Sequence, residues 1–253
     1  MLLSLLFLYS SSLNAARKSK IKRWLLMRKY IGVIIIFLVG LGIVIYPHFA
    51  QWFNGYMQSK QVKQFQTELE TYSKDDIEEM MSKADACNKD IYYDESGFHD
   101  PFVNKDEKLE KFKNCLGVED DEMFSAIEIP KLGLLIPIYL GATEDILDKG
   151  IGQIEGSSIP IGGDSTHTVL AGHRGLGTKE MFRNVDELET GDKFYIHTMD
   201  ETLTYQVYTQ KVIEPHETES LEIKEGKDLA TLFTCHPYRY DYQRLLIQAE
   251  RIN

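Results

Sequence analysis

No acidic residue occurs in the first 67 positions of this 253-residue chain; Glu68 is the first. The same stretch carries seven bases ahead of an apolar run: Arg17, Lys18, Lys20, Lys22, Arg23, Arg28 and Lys29. Cysteine is scarce, with only Cys87, Cys115 and Cys235. No CxxC pair exists, and none of the seven histidines sits in an HxxxH spacing. Those absences exclude the common zinc frameworks, so we expect no metal and no cofactor. Beyond the seven N-terminal bases, 21 basic residues face 39 acidic ones, a net of −18. So acidic a surface argues against nucleic acid as a partner. There is no internal repeat and no low-complexity tract.

What is present begins with Ile31–Tyr46, almost wholly apolar. With Tyr30 and the residues through Ala50 it reaches roughly 20 residues, enough to cross a bilayer as a helix. Positive charge before it places the N-terminus in the cytoplasm and everything after Ala50 outside. No small-x-small cleavage site follows cleanly, so we read a retained anchor, with a cleaved leader as the alternative. Met27-Arg28-Lys29-Tyr30 is a natural beginning for such an anchor, and we read residues 1–26 as an overextended reading frame. The segments are then 1–29 cytoplasmic, 30–50 anchor, 51–123 juxtamembrane helices and a loop, and 124–253 the main domain.

Gln51 to Tyr72 reads as a helix. Ser73-Lys74-Asp75-Asp76 supplies an N-cap with acids in the first turn. Ile77, Met80, Met81 and Ala84 fall at i, i+3, i+4 and i+7, one apolar face, ending near Asn88. Residues 89–122 read as a loop, with Asp94-Glu95-Ser96-Gly97, Asp100-Pro101 and Glu119-Asp120-Asp121-Glu122. From Ser125 the pattern alternates and turns at Pro130-Lys131-Leu132-Gly133, a hairpin signal. Thr143–Asp148 reads as a helical turn and Lys179–Glu187 as a short helix. Thr168–Ala171, Phe194–His197, Thr204–Val212, Ala230–Thr234 and Leu245–Ala249 read as strands. Many short strands with few helices predict a mostly β fold, a closed and mainly antiparallel barrel.

The chemistry lies at three strand ends. Thr231-Leu232-Phe233-Thr234-Cys235 ends in a thiol, and Arg244 follows nine residues later, directly before the next apolar run. A fixed positive charge beside a thiol favours the thiolate, the nucleophilic form. A guanidinium there also holds a carbonyl oxygen as it becomes an oxyanion. Upstream, Thr168-Val169-Leu170-Ala171-Gly172-His173 ends in a histidine. Cysteine, histidine and arginine so arranged suggest acyl transfer through a thioester. Each has a bland reading beside it: a buried strand cysteine, a turn histidine, a surface ion pair. In an extended strand His236 points away from the face of Cys235, so we read it as a bystander. His48, His99, His167, His197 and His216 show no partner pattern.

These residues resemble the sortases. The family's TLxTC strand matches Thr231, Leu232, Thr234 and Cys235, its arginine matches Arg244, and its histidine matches His173. The resemblance runs from about Ser125 to Ile252 and implies an eight-stranded sortase β-barrel with short helices. It implies a cysteine transpeptidase that cuts an LPxTG-like sorting signal between threonine and glycine and passes the acyl group to an amine, with hydrolysis as a slow side path. Thr234 would lend a hydroxyl or backbone group to substrate. His99-Asp100-Pro101-Phe102 resembles the Asp-Pro-aromatic lid of class C, the pilin-polymerising sortases. Carried over, Asp100 pairs with Arg244, Phe102 covers Cys235, and the second amine is a pilin lysine. The enzyme is then single-pass in the membrane of a Gram-positive surface. The chain's last residue, Asn253, directly follows the last strand, where class C often has a second membrane segment; we read one anchor. Two alternatives stay open: a sortase attaching surface proteins to peptidoglycan, and a non-catalytic surface protein on a sortase scaffold.

Cys87 and Cys115 flank Asp100-Pro101-Phe102 and face an oxidising exterior. They form either one bond at the base of the lid or two unpaired thiols. We expect the unpaired pair.

Overall fold

The computed structural model describes residues 2–92, 100–102, 115–116, 122–174 and 177–252. The chain divides into two units, Met1–Phe49 and Ala50–Asn253. Helix α1 is assigned over Leu2–Leu69. Among the described residues one helical stretch, Tyr30–Leu69, is long and apolar enough to cross a membrane, and its apolar window is unburied.

Within the second unit, helix α2 (Lys74–Tyr92) begins at a capping box. Ser73 Oγ accepts from the Asp76 amide at 3.1 Å, and the Ser73 amide donates to Asp76 Oδ2 at 3.2 Å. Two orphan donors of the first turn are thereby satisfied. The helix runs four residues past Asn88 because Asn88 is no C-cap. It is buried, and its amide pairs both ways with the backbone of Ile159, at 3.2 Å and 2.7 Å.

Eight strands follow: β1 (Met123–Ile129), β2 (Leu134–Leu140), β3 (Ile151–Gln153), β4 (Thr166–Ala171), β5 (Lys193–His197), β6 (Thr202–Ile213), β7 (Asp228–His236) and β8 (Gln243–Ile252). They close in the order β1-β2-β3-β4-β7-β8-β6-β5, so among the described residues no strand edge is left to pair with another chain. Among the described strands only β2–β3 and β4–β7 pair in parallel. The hairpin turns at Pro130–Leu132 with Gly133 at φ 64°. Helix α3 (Glu144–Lys149) is capped by Thr143.

Alternation along the strands sorts the core. Leu170, Leu232, Leu245 and Ile247 point into the barrel with Ile127, Ile138, Phe194 and Tyr205. Val169, Ala171, Phe233 and Leu246 point outward and are covered by Leu147, Ile154, Ile213 and Leu221. Sheet residues buried on both faces explain why β4, β7 and β8 read as continuous apolar runs.

Three expectations need correction. Lys179–Glu187 is not a helix: only Val185–Glu187 forms a 3-10 turn. Met181, at φ 44°, breaks the helical path, and Met181, Phe182, Val185 and Leu188 all enter the barrel core. Cys87 and Cys115 are bonded, with Cα atoms 6.0 Å apart. Spacing alone gave no reason for the pairing. It follows from α2 docking, which buries Cys87 beside Leu116. By loop entropy a bridge over 28 residues is worth roughly 3–4 kcal/mol. His167 and His197 do have partners. His197 meets Glu128 at 2.8 Å, and His167 is fully buried between Thr231 Oγ1 at 2.7 Å and the Glu222 carbonyl at 3.0 Å. The acidic run 119–121, the 94–97 turn and His99 lie outside the described residues.

Burial pushes His167 down to about 4, against the opposing pull of the Glu222 carbonyl. Between pH 4 and 6.5 the unfolded chain protonates this imidazole and the folded chain does not. Stability is therefore complete above about pH 6.5 and falls as pH drops towards 4, by roughly 3 kcal/mol at most. Urea midpoints at pH 7.5 and 4.5 should differ accordingly, and the difference should shrink in His167→Gln. An unchanged difference in that variant would place the acid sensitivity elsewhere.

Candidate active site

Register and parity bring the three strand-end residues together. Cys235 lies opposite Arg244 across the antiparallel β7–β8 ladder. Strand β4 runs parallel to β7 with Ala171 paired to Phe233, and the Gly172 amide extends the ladder to the Phe233 carbonyl at 3.1 Å. Two residues beyond that pair, on the same face, stand His173 and Cys235. The outward-facing Val169, Ala171, Phe233 and Leu246 form an apolar floor running up to this face.

Gly172 leaves no room for a side chain. A Cβ there would lie 2.7 Å from both Ile151 Cδ1 and the Phe182 ring. Gly172→Ala should therefore cost about 1–3 kcal/mol and shift His173. Urea denaturation together with a thiol-labelling rate at the neighbouring Cys235 would read both; two unchanged values would refute the tight fit.

Arg244 is almost fully buried. Its Nε donates to Asp100 Oδ2 at 2.6 Å, and its Nη1 donates to the carbonyls of Asp241 at 2.7 Å and Gln243 at 3.0 Å. The other oxygen of Asp100 accepts from the Phe102 amide at 2.8 Å. The Phe102 ring stacks on Phe233, centroids 5.9 Å apart and planes at 6°. It also stands 5.9 Å from the His173 ring and 5.4 Å from the Arg244 guanidinium carbon. One short segment thus spends an anion on the arginine and a ring on the floor and the histidine.

The consequence for the thiol differs from the sequence expectation of a thiolate. Burial pushes Cys235 up to about 11; Arg244 and Arg174 pull it down, but Asp100 and Asp241 push it up. Burial first, and Asp100 beside the arginine second, keep the group a thiol at neutral pH.

His173 is partly exposed, with Nε2 3.9 Å from Asp148 Oδ1. The Thr234 hydroxyl differs from expectation. The residue is fully buried, and its hydroxyl donates to the Gly172 carbonyl at 2.6 Å instead of facing the thiol side. Parity held the signal: Thr234 adjoins Cys235, so it points to the opposite face, as His236 does. Its hydroxyl ties β7 to the residue that precedes His173.

Arg174 went unremarked in the sequence. It is buried, ion-paired with Asp186 at 2.7 Å and bonded to the Arg183 carbonyl at 3.3 Å, and it donates to His236 Nδ1 at 2.9 Å. It thereby braces the ends of β4 and β7 from behind. Burial, and then the charge of Arg174, lowers His236.

Comparison with known proteins agrees with this architecture. Residues 127–252 match the family described as the Sortase domain. The crystal structure of Streptococcus pneumoniae Sortase C superposes with a TM-score of 0.71 at 39% identity, covering 77% of this chain and 97% of that one. The work on that enzyme concerns catalysis and pilin substrate specificity. The pilus-related Sortase C of Group B Streptococcus gives 0.70 at 37% identity, covering 76% and 97%. Sortase D of Bacillus subtilis (strain 168) is 30% identical over 130 residues, 51% of this chain. The match spans 63% of that protein, less than two thirds of its length.

Proposed function

Because the chain belongs to the sortase family of cysteine transpeptidases, we propose that it joins proteins covalently: it cleaves an LPxTG-like sorting signal and passes the acyl group to an amine, a pilin lysine. The observation that carries this reading is Cys235 set opposite Arg244, with His173 on the same face and Asp100 occupying the guanidinium.

In this reading Asp100 and Phe102 form a lid that substrate displaces. Leaving with the lid, Asp100 frees Arg244 to take the scissile carbonyl oxygen. Its negative charge no longer opposes ionisation of Cys235, and water reaches the thiol, so the thiolate becomes accessible. Cys235 gives its proton to His173 and its sulfur attacks the threonine carbonyl. Arg244 holds the oxyanion. The imidazolium of His173 protonates the departing glycine amine, leaving a thioester on Cys235. The incoming lysine amine gives a proton to His173, attacks the thioester and restores the thiol as the new amide forms. Water in place of the amine yields hydrolysis. Likeness to pilus-related sortases supports the pilin lysine over peptidoglycan as acceptor.

The apolar stretch of α1 supports a single-pass anchor at residues 30–50 with the barrel outside the cell. Segment 51–123 carries the lid and 124–253 the catalytic barrel. The test is to incubate the full chain with a protein ending in an LPxTG signal, once with a pilin and once with a peptidoglycan precursor. Covalent, lysine-linked polymers are expected with the pilin. Wall-precursor adducts alone would favour the anchoring role, and neither product would overturn the reading.

A further inference from the structure

Helix α3 is short but firmly set. Thr143 Oγ1 accepts from the Ile146 amide at 3.4 Å, and the Gly150 amide closes the helix onto the Ile146 carbonyl at 3.0 Å. Gly150 leaves no space for a Cβ, which would lie 2.6 Å from the Pro137 carbonyl oxygen. Ile146 is buried with Ala84, Tyr139 and Ile159. Leu147 is buried with Val169, Ala171 and Phe233, the floor of the site. Two adjacent side chains packed into two different clusters stop the helix from rolling. The next residue, Asp148, is thereby held beside His173, with its Oδ1 3.9 Å from the imidazole Nε2. Lys179 Nζ donates to the Asp148 backbone carbonyl and ties that turn to the segment after His173.

We infer that Asp148 is a positioning residue for His173, a carboxylate that keeps the imidazole protonated while the charge of Arg244 is uncovered. The inference rests on the mechanism proposed above. A separation of 3.9 Å is longer than a hydrogen bond, so the interaction is Coulombic. The other charged groups of the site show why it is needed. Arg244 and His173 stand against the same Phe102 ring, 5.4 Å and 5.9 Å from its centroid. In the closed site Asp100 offsets the charge of Arg244. When the lid leaves, an uncovered positive charge faces the imidazole and disfavours a second one. The departing amine nevertheless needs the imidazolium. Arg174 is turned to Asp186 and His236. Lys179 bears on the Asp148 carbonyl, and Lys149 lines a cleft with Asn54 and Gln58. Glu144 and Asp145 lie one turn earlier on α3. Asp100 departs with the lid, and the Cys235 thiolate is consumed as the thioester forms. Asp148 is the carboxylate that stays beside His173 through both proton transfers.

The test is an NMR titration of the full chain in detergent micelles, isotope-labelled at histidine Cε1, with the His173 signal identified by its loss in His173→Gln. In Asp148→Asn the His173 midpoint should fall by about half a pH unit, the Coulomb effect of an exposed, screened carboxylate at this distance. Asp148→Glu should recover part of that loss. Asp145→Asn should move the midpoint by less than half as much. Raising the salt to about 1 M, where the Debye length is about 3 Å, should erase most of the difference, whereas a merely structural role would not respond to salt. Peptide transfer by Asp148→Asn, measured above the midpoint, should lose about threefold in kcat with little change in KM, the factor that half a pH unit carries. Its alkaline limb should move to lower pH. The titration needs no substrate, so the two readings fail separately. A midpoint that stays put in Asp148→Asn, or moves equally in Asp145→Asn, overturns the inference and leaves the transpeptidase reading standing. A midpoint that moves as expected in a chain whose parent transfers no peptide overturns the mechanism, and with it the role given to Asp148.

Discussion

Removing the lid contacts, with Asp100→Ala and Phe102→Ala together, should accelerate labelling of Cys235 by a thiol reagent at neutral pH by about ten- to a hundredfold. The reagent attacks only the thiolate. In the closed site burial holds the thiol up at about 11, and Asp100 contributes to keeping it there. Losing the carboxylate and admitting water where the ring lay returns the group towards its ordinary value. Each unit of that return multiplies the thiolate fraction near pH 7.5 tenfold. The midpoint of labelling against pH should fall in parallel. Cleavage of a sorting peptide should rise as well, because in the proposed mechanism the substrate would no longer have to displace these two residues. The variant pays a stability cost, since a buried ion pair that loses one partner forfeits about 3–5 kcal/mol. The lower end is expected here, because Arg244 keeps the Asp241 and Gln243 carbonyls and the site opens to water. Asp100→Asn separates charge from packing: it keeps the shape and should give part of the acceleration. An unchanged labelling rate in the double variant would show that Asp100 and Phe102 do not restrain the thiol.

Cys235→Ala should abolish polymer formation, a fall of roughly 10⁴-fold or more, with an unfolding midpoint close to the parent's. The side chain is small and only partly buried, so its loss removes the proposed nucleophile and little of the core. His173→Ala should fall as far, because in the proposed mechanism both proton transfers pass through the imidazole. Arg244→Lys should also be severely impaired while the charge is retained. An ammonium cannot reproduce the guanidinium's fixed fork, by which Arg244 reaches Asp100 and two backbone carbonyls at once. Comparing kcat with KM for Arg244→Lys separates its roles. Loss confined to kcat marks oxyanion stabilisation, and loss confined to KM marks substrate positioning. Covalent polymers made by Cys235→Ala would refute the thioester route.

How far the sequence reached can be argued from particular residues. The long apolar helix, the α2 cap at Ser73, the hairpin at Gly133 and five of the later strands were legible because each depends on local chemistry: apolar length, a side-chain oxygen at a helix start, positive φ, alternation. The strand-end positions of Cys235 and His173 were legible because each follows an apolar run, and that of Arg244 because it stands directly before one. Strand β3 was not; three residues carry no period, and Gly152 is there because a Cβ would strike the Gly141 carbonyl. Lys179–Glu187 was read as a helix, yet its Met181, Phe182 and Val185, with Leu188 just beyond, pack into the barrel core, and that packing outweighs propensity.

By itself, then, the sequence determined the mainly β architecture, the membrane-spanning length and which three side chains stand at strand ends. Only the tertiary structure decided their state. It bonded Cys87 to Cys115, turned Thr234 inward onto Gly172, braced His236 with Arg174 and seated Asp100 on Arg244. The ionisation of Cys235 depends on that seating, since charges from β8, the lid and the β7–β8 connection act on it across space. Burial and electrostatics are sums over neighbours distant in the chain, and no local pattern of residues contains them.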